Sequence, residues 1–129
     1  MTDRRRIDPT GTYRPMGPYS PAIETGGFLF CSGLVGIDPS TGKLVEGVEA
    51  QAEQALRNLG ALLEAAGLGY GDVAKTTCFL TDIDDFQVFN GVYTGFFPDP
   101  RPARSTVAVA ALPGGASVEV EAIARRRAG

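Results

Sequence analysis

An arginine near the end of the chain is the first residue whose position suggests chemistry. Arg104 directly precedes a stretch that is otherwise apolar through Val107 and Val109. A guanidinium in that place must reach solvent or find an anion, because an unpaired buried charge is strongly unfavourable. The anion is either a carboxylate of the protein, which makes Arg104 a structural salt-bridge residue, or an anionic ligand.

Two carboxylates follow Arg104 in a second apolar stretch. Glu119 and Glu121 are two residues apart in the run from Val118 to Ala124, which is typical of a strand. Side chains two apart on a strand point to the same side of a sheet. The pair therefore marks either a solvent-exposed polar face or one wall of a site.

Other sequence motifs exclude several kinds of catalyst. The chain has no histidine, the commonest general base at neutral pH and a common zinc ligand. Gly36 to Lys43 imitates a phosphate-binding loop, but its glycine spacing is wrong, and we predict a hairpin. Asp82 to Asp85 imitates a calcium loop without its glycine and distal glutamate, and we predict a helix start. We expect no metal and no cofactor.

Composition predicts a single domain over residues 1–129. With 129 residues and 43% hydrophobic content, the chain has enough apolar material for one core. The net charge of -3 disfavours nucleic acid as a partner. Arginine runs occur only at the two ends, at 4–6 and 125–127, and we expect them to be solvated tails.

Hydrophobicity and cysteine usage predict a cytoplasmic protein. No apolar run approaches the roughly 20 residues that cross a membrane, so we expect no membrane association. Cys31 and Cys78 each lie in an apolar stretch. Isolated thiols in such places usually pack as small hydrophobic groups, and we expect no disulfide.

The elements that must position these residues can be read from hydrophobic periodicity. Residues 1–18 are rich in proline and glycine and predict an irregular lead-in, with the fold proper beginning near Ala22. Apolar spacing of three and four predicts two helices, from Val48 to Ala66 with Gly67 as its cap, and from Phe86 to Phe96. Buried strands are predicted at 28–35, 73–80, 105–110 and 118–124, the last two as an antiparallel pair.

This order of elements predicts an α+β sandwich with two helices on one face of a mixed sheet. The strands have no consistently polar side, so the second face of the sheet is expected to be apolar. A chain of this length has nothing left to cover that face. We therefore expect a homo-oligomer that packs sheet to sheet.

Five blocks of sequence resemble the RidA/YjgF family of reactive-intermediate (imine) deaminases in order and spacing. The resemblance covers nearly the whole chain from Tyr13 onward. The blocks are Gly17-Pro18-Tyr19-Ser20-Pro21-Ala22, Ser32-Gly33, the run from Asp72 to Asp82, Pro102-Ala103-Arg104-Ser105, and the run from Val118 to Ala124.

The resemblance implies a chorismate-mutase-like protomer, a sheet that is mixed but mainly antiparallel, and a homotrimer with active sites between subunits. It also implies an activity, that of a 2-iminobutanoate/2-iminopropanoate deaminase. Such an enzyme hydrolyses enamines and 2-imino acids to 2-keto acids and ammonia without a metal or a cofactor.

The resemblance also implies roles for individual residues. Arg104 would bind the substrate carboxylate, a task suited to the planar fork of a guanidinium. Glu119 would orient the attacking water and act as general base. The remaining residues expected to line or border the substrate site are Tyr19, Ser32, Phe89, Asn90 and Thr106, with Thr106 acting chiefly through its backbone.

Three alternatives remain open at this stage. One is a non-catalytic member of the same family, a trimer that binds small carboxylates or regulates partner proteins. Another is an RNA-acting translation inhibitor, a role attributed to some relatives. A third is an amidohydrolase or chorismate-type enzyme that shares the fold, since fold alone does not settle function.

Overall fold

The computed structural model describes residues 3–127, which form one six-stranded sheet, one two-stranded hairpin and two helices. The helices are α1 (Val48–Ala65) and α2 (Phe86–Tyr93). The strands are β1 (Arg5–Ile7), β2 (Ala22–Thr25), β3 (Phe28–Val35), β4 (Ile37–Asp38), β5 (Lys43–Leu44), β6 (Val73–Leu80), β7 (Ala103–Ala108) and β8 (Val118–Arg125).

The large sheet has the strand order β1-β2-β3-β8-β6-β7. Neighbouring strands are antiparallel except for β6 and β7, which are parallel. Strands β4 and β5 form the predicted hairpin at Gly36 to Lys43. This confirms an α+β fold with a mixed, mainly antiparallel sheet.

Helix α1 covers the middle of the sheet with an apolar stripe. Its stripe residues are completely buried: Ala52, Ala55, Leu56, Leu59, Leu62 and Leu63. Burial of each leucine contributes about 2 kcal/mol to folding. The helix ends as predicted, because Gly67 adopts a φ of +75° and the Leu68 amide turns back to donate to the Leu63 carbonyl.

The two faces of the sheet have different surroundings. In β8, Val118 and Val120 are fully buried beneath the helices, and the alternating Glu119 and Glu121 lie on the other face. That open face, which no helix covers, also carries exposed apolar side chains. They are Phe28, Phe30 and Val107, at 38%, 43% and 43% exposure. Among the described residues the second face is therefore uncovered, as predicted, but it mixes apolar side chains with charged ones instead of being apolar throughout.

Residues 1–18 were predicted to be an irregular lead-in, but part of this segment forms a strand. Arg5–Ile7 forms an edge strand whose backbone pairs with β2, so the fold begins before Ala22. Three residues are too few to produce a recognisable hydrophobic pattern. Ile7 is their only buried side chain, and the Arg5 guanidinium reaches Glu24 at 3.1 Å.

The predicted pairing of the last two strands was wrong. Strand β6 lies between β7 and β8, because the segment 109–117 crosses the end of β6 instead of turning tightly. The Val109 amide donates to the Leu80 carbonyl at 2.8 Å, and the Thr81 amide donates to the Ser117 carbonyl at 3.1 Å. Helix α2 is also shorter than predicted and ends at Tyr93.

The arginines near the ends are largely solvent-exposed, as predicted, but they are not tails, because they lie in or beside strands and several form surface ion pairs. Arg126 donates to Glu24 at 2.7 Å and also to the Ala66 carbonyl, and Arg127 donates to Asp72 at 2.9 Å. Glu24 thus binds an arginine from each end of the chain. Both cysteines are free and buried, as predicted.

Candidate functional site

Arg104 lies on β7 and faces helix α2. Its register partner on β6 is Thr76, which is completely buried, so strand alternation turns the Arg104 side chain to the helix-covered face. There the guanidinium carbon lies 4.7 Å from the ring centroid of Tyr93, 5.5 Å from that of Phe86 and 5.7 Å from that of Phe89. These rings share one face of α2 because they are spaced by three, four and seven residues.

The guanidinium of Arg104 has no anionic partner within residues 3–127. Its one hydrogen bond, of 2.7 Å, goes to the neutral Oδ1 of Asn90. None of the ion pairs in this part of the chain includes Arg104. Within residues 3–127 Arg104 is therefore not a salt-bridge residue. A guanidinium has five N–H donors, so most of them remain available to an anionic ligand.

The residues around Arg104 hold its position. Tyr93 and Thr76 share a buried hydrogen bond of 2.8 Å, which fixes the ring that lies against the guanidinium. Burial raises the pKa of Tyr93, so its hydroxyl stays protonated. Thr106 lies two residues after Arg104 on the same strand face, and its buried Oγ1 has no hydrogen-bond partner.

Phe89 does not offer a surface to a ligand in the protomer. Its side chain is completely buried in the core and contacts Arg104 through the ring. Phe89 therefore packs in the core of the protomer, and its place among the substrate-binding residues stays a prediction. Phe86 and Tyr93 had been recognised only as helix periodicity, and nothing in that pattern identified them as neighbours of Arg104.

Glu119 is a half-buried carboxylate on the open face of the sheet. It packs against Gly33, where a Cβ would lie only 2.5 Å from the Glu119 Oε2. Gly33 lies in a bulge of β3, between Cys31 and Leu34. Desolvation and, second, the charge of Glu121 raise the pKa of Glu119. The carboxylate accepts no hydrogen bond from the described residues, so it is available to a water molecule.

Two of the predicted site residues lie close to Gly33, the residue against which Glu119 packs. Tyr19 and Ser32 line a small cavity together with Gly33 and Tyr13. The Ser32 hydroxyl donates to the Ser20 carbonyl at 2.7 Å, and the Tyr19 hydroxyl accepts from the Met16 amide at 3.1 Å. Tyr13 was missed as a site residue because it lies in the proline- and glycine-rich lead-in.

The site residues thus form two groups. The arginine half-site consists of Phe86, Asn90, Tyr93, Arg104 and Thr106. The glutamate half-site consists of Tyr13, Tyr19, Ser32, Gly33 and Glu119. Arg104 lies on the helix-covered face and Glu119 on the open face, so these two side chains point away from each other in one protomer.

Residues 3–127 contain neither a metal-binding cluster nor a membrane-spanning helix. No group of three or more potential His, Cys, Asp or Glu ligands is arranged to hold a metal ion there. No helix in the same range has the length and hydrophobicity required to cross a bilayer.

Comparison with known proteins gives consistent matches over most of the chain. The sequence model of the Endoribonuclease L-PSP family matches residues 11–126. Reactive Intermediate Deaminase A, chloroplastic, of Arabidopsis thaliana is 51% identical over 110 residues, which are 84% of this chain and 59% of that protein. The Mus musculus protein named 2-iminobutanoate/2-iminopropanoate deaminase is 47% identical over 122 residues, covering 94% of this chain and 90% of its own.

A solved structure shows the same similarity in three dimensions. The crystal structure of E. coli TdcF with bound serine has a TM-score of 0.90 and 39% sequence identity, covering 95% of this chain and 99% of that chain. The similarity thus extends over the elements that carry both half-sites. The chain belongs to the Endoribonuclease L-PSP family, which includes the RidA/YjgF proteins.

Proposed function

We propose that this protein is a deaminase that hydrolyses 2-imino acids, with 2-iminopropanoate and 2-iminobutanoate as substrates. The observation that carries the proposal is the environment of Arg104. Its guanidinium is half-buried, held by Asn90 and three aromatic rings, and lacks a carboxylate partner in the described chain. An arginine arranged in this way fits a small organic carboxylate, which a 2-imino acid carries next to its reactive C=N bond.

The reaction requires that the substrate and the attacking water be oriented and that one general base be present. Water adds to the carbon of the protonated C=N bond while Glu119 accepts one of the water protons, which gives a neutral carbinolamine. Glu119 then returns that proton to the amine, the C–N bond breaks and ammonia leaves with its electron pair. Transfer of the hydroxyl proton to the departing ammonia leaves the 2-keto acid and ammonium. A carboxylate whose pKa is raised above its ordinary value is a stronger base, which suits this proton exchange.

The complete site requires two chains in this proposal. Arg104 and Glu119 occupy opposite faces of one protomer, so a substrate that touches both must lie between the arginine half-site of one subunit and the glutamate half-site of another. The exposed Phe28, Phe30 and Val107 provide apolar surface for such an assembly. We propose the homotrimer implied by the family resemblance.

RNA cleavage receives less support from this chain, although the family name includes an endoribonuclease. The chain has no histidine for general acid-base catalysis. Arg126 and Arg127 are ion-paired to Glu24 and Asp72 instead of being free to bind phosphates.

The test is direct hydrolysis of imines generated in solution. An amino-acid oxidase produces 2-iminopropanoate or 2-iminobutanoate, and semicarbazide traps whatever imine survives. Wild type is expected to lower the trapped amount, and Arg104→Ala to lower kcat/KM by about 100-fold or more. Arg104→Lys retains the positive charge but lacks the paired N–H donors of a guanidinium. Its kcat/KM should therefore lie between those of Arg104→Ala and wild type.

The matched control is Arg101→Ala. Arg101 is exposed on the neighbouring loop, with only a long 3.7 Å contact to Asp99. Its variant should retain full activity. Absence of imine hydrolysis by folded wild type would contradict the proposal and favour the non-catalytic carboxylate-binding alternative.

A further inference from the structure

Tyr13 has a hydroxyl whose proton is not used within the described chain. The Val35 backbone amide donates to the Tyr13 oxygen at 2.9 Å. In this bond the tyrosine is the acceptor, so its own O–H remains available as a donor. Residues 3–127 provide no acceptor for it.

The position of this hydroxyl links it to Glu119. Val35, the residue bonded to Tyr13, is the register partner of Glu119 in the β3–β8 pair. Gly33 lines the small cavity with Tyr13 and is also the residue against which the Glu119 carboxylate packs. The Tyr13 hydroxyl, whose proton is unused, and the Glu119 carboxylate, which accepts no hydrogen bond from the described residues, therefore both lie beside residues 33–35 of β3.

Electrostatics agree with this proximity. Burial is the main cause that raises the pKa of Tyr13, and the charges of Tyr19 and Glu119 add to it, whereas the bond from Val35 opposes it. The resulting pKa is about 12. Tyr13 therefore stays protonated, and able to donate, at every pH at which an imine can be assayed.

We propose that Tyr13 is a positioning residue whose hydroxyl donates a hydrogen bond to the water that Glu119 activates. This inference rests on the proposed function. A water that gives one hydrogen to Glu119 and accepts one from Tyr13 has its orientation fixed, and one lone pair stays free to attack the imine carbon. The competing explanation is that Tyr13 only anchors the lead-in to β3.

The first variant is Tyr13→Phe, which removes the hydroxyl and keeps the ring. We expect kcat to fall about fivefold, as for one lost water-mediated hydrogen bond, with KM unchanged. We also expect the acid limb of the kcat/KM profile to move to higher pH, because a water that Tyr13 no longer polarises donates a weaker hydrogen bond to the charged form of Glu119. The matched control is Tyr70→Phe, since Tyr70 is a half-buried tyrosine that donates to the Leu56 carbonyl.

The second variant carries 3-fluorotyrosine at position 13. It preserves the acceptor for Val35 and donates more strongly, so the acid limb should move to lower pH. The charged and titratable groups that face Glu119 or Tyr13 are Glu121 and Arg125 on β8, Lys75 on β6, Arg6 on β1, and Asp8, Arg14 and Tyr19 on the lead-in. All of them stay unchanged in both variants, so opposite shifts identify Tyr13 as their cause.

A direct titration separates this inference from the proposed function. The Glu119 carboxyl is followed by carbon-13 NMR, with Glu119→Gln used to assign its signal. Opposite changes of its pKa in the two variants support the inference even if wild type proves inactive on imines. An unchanged Glu119 titration in both variants overturns it, and any loss of activity or stability in Tyr13→Phe then reflects anchoring of the lead-in.

Discussion

Arg104 and Glu119 project from opposite faces of one sheet. Arg104 lies opposite Thr76 and contacts helix α2, whereas Glu119 lies opposite Phe79 and packs against Gly33 on the open face. Strand alternation enforces this separation, because the two register positions on β6 are three residues apart. A site that uses both side chains must therefore combine two subunits.

Mixing inactive subunits tests this arrangement. Arg104→Ala and Glu119→Gln should each be inactive alone. Co-expressed in equal amounts, they should recover about a quarter of wild-type activity. Each site needs an intact Arg104 from one subunit and an intact Glu119 from its neighbour, and random assembly supplies each of these in half of the cases. Imine hydrolysis by purified mixed oligomers provides the measurement. Activity that stays at background in the mixture would show that one chain supplies both residues.

Asn90→Asp should convert the anion site into an internal ion pair. The Oδ1 of Asn90 already lies 2.7 Å from Arg104, so a carboxylate there would bind the guanidinium and compete with the substrate. We expect KM to rise about tenfold or more with a smaller change in kcat. Steady-state kinetics against imine concentration check this. An unchanged KM would mean that Arg104 does not bind the substrate carboxylate.

Gly33→Ala should move the carboxylate of Glu119, which we propose as the general base. The new Cβ would lie 2.5 Å from the Glu119 Oε2, and the flexible glutamate side chain has to yield. We expect kcat to fall about tenfold with the fold retained, as measured by kinetics and circular dichroism. Gly69→Ala is the control, since a Cβ there has no neighbour within 4 Å. Equal kcat values for both variants would argue against Glu119 as the base.

Glu119→Gln should make the protein more stable at neutral pH while removing activity. The folded state raises the pKa of Glu119, so its ionisation opposes folding, and the stability it contributes in acid is lost as pH rises through that pKa. We expect Tm to increase by about 1–2 °C at pH 7 and to be nearly unchanged near pH 4. Thermal unfolding at both pH values measures this. The exposed Glu64→Gln should show no such difference, and a lower Tm of Glu119→Gln at pH 7 would contradict the prediction.

Local patterns in the sequence determined several parts of this protein. The apolar stripe and Gly67 set the extent of α1, and the turn residues of 36–43 set a hairpin. The apolar residues that follow Arg104 in the sequence indicated that its guanidinium must reach solvent or bind an anion. Each of these features depends on residues that are neighbours along the chain, so periodicity and residue type are sufficient to reveal them.

Only the tertiary structure decided how the site is divided. The insertion of β6 between β7 and β8 separates Arg104 from Glu119, and it depends on pairing between strands that are distant in sequence. The rings around Arg104 come from a helix that lies beside it only after the sheet forms. The contact between Gly33 and Glu119 likewise requires the β3–β8 register, because residues 86 positions apart have no local pattern in common.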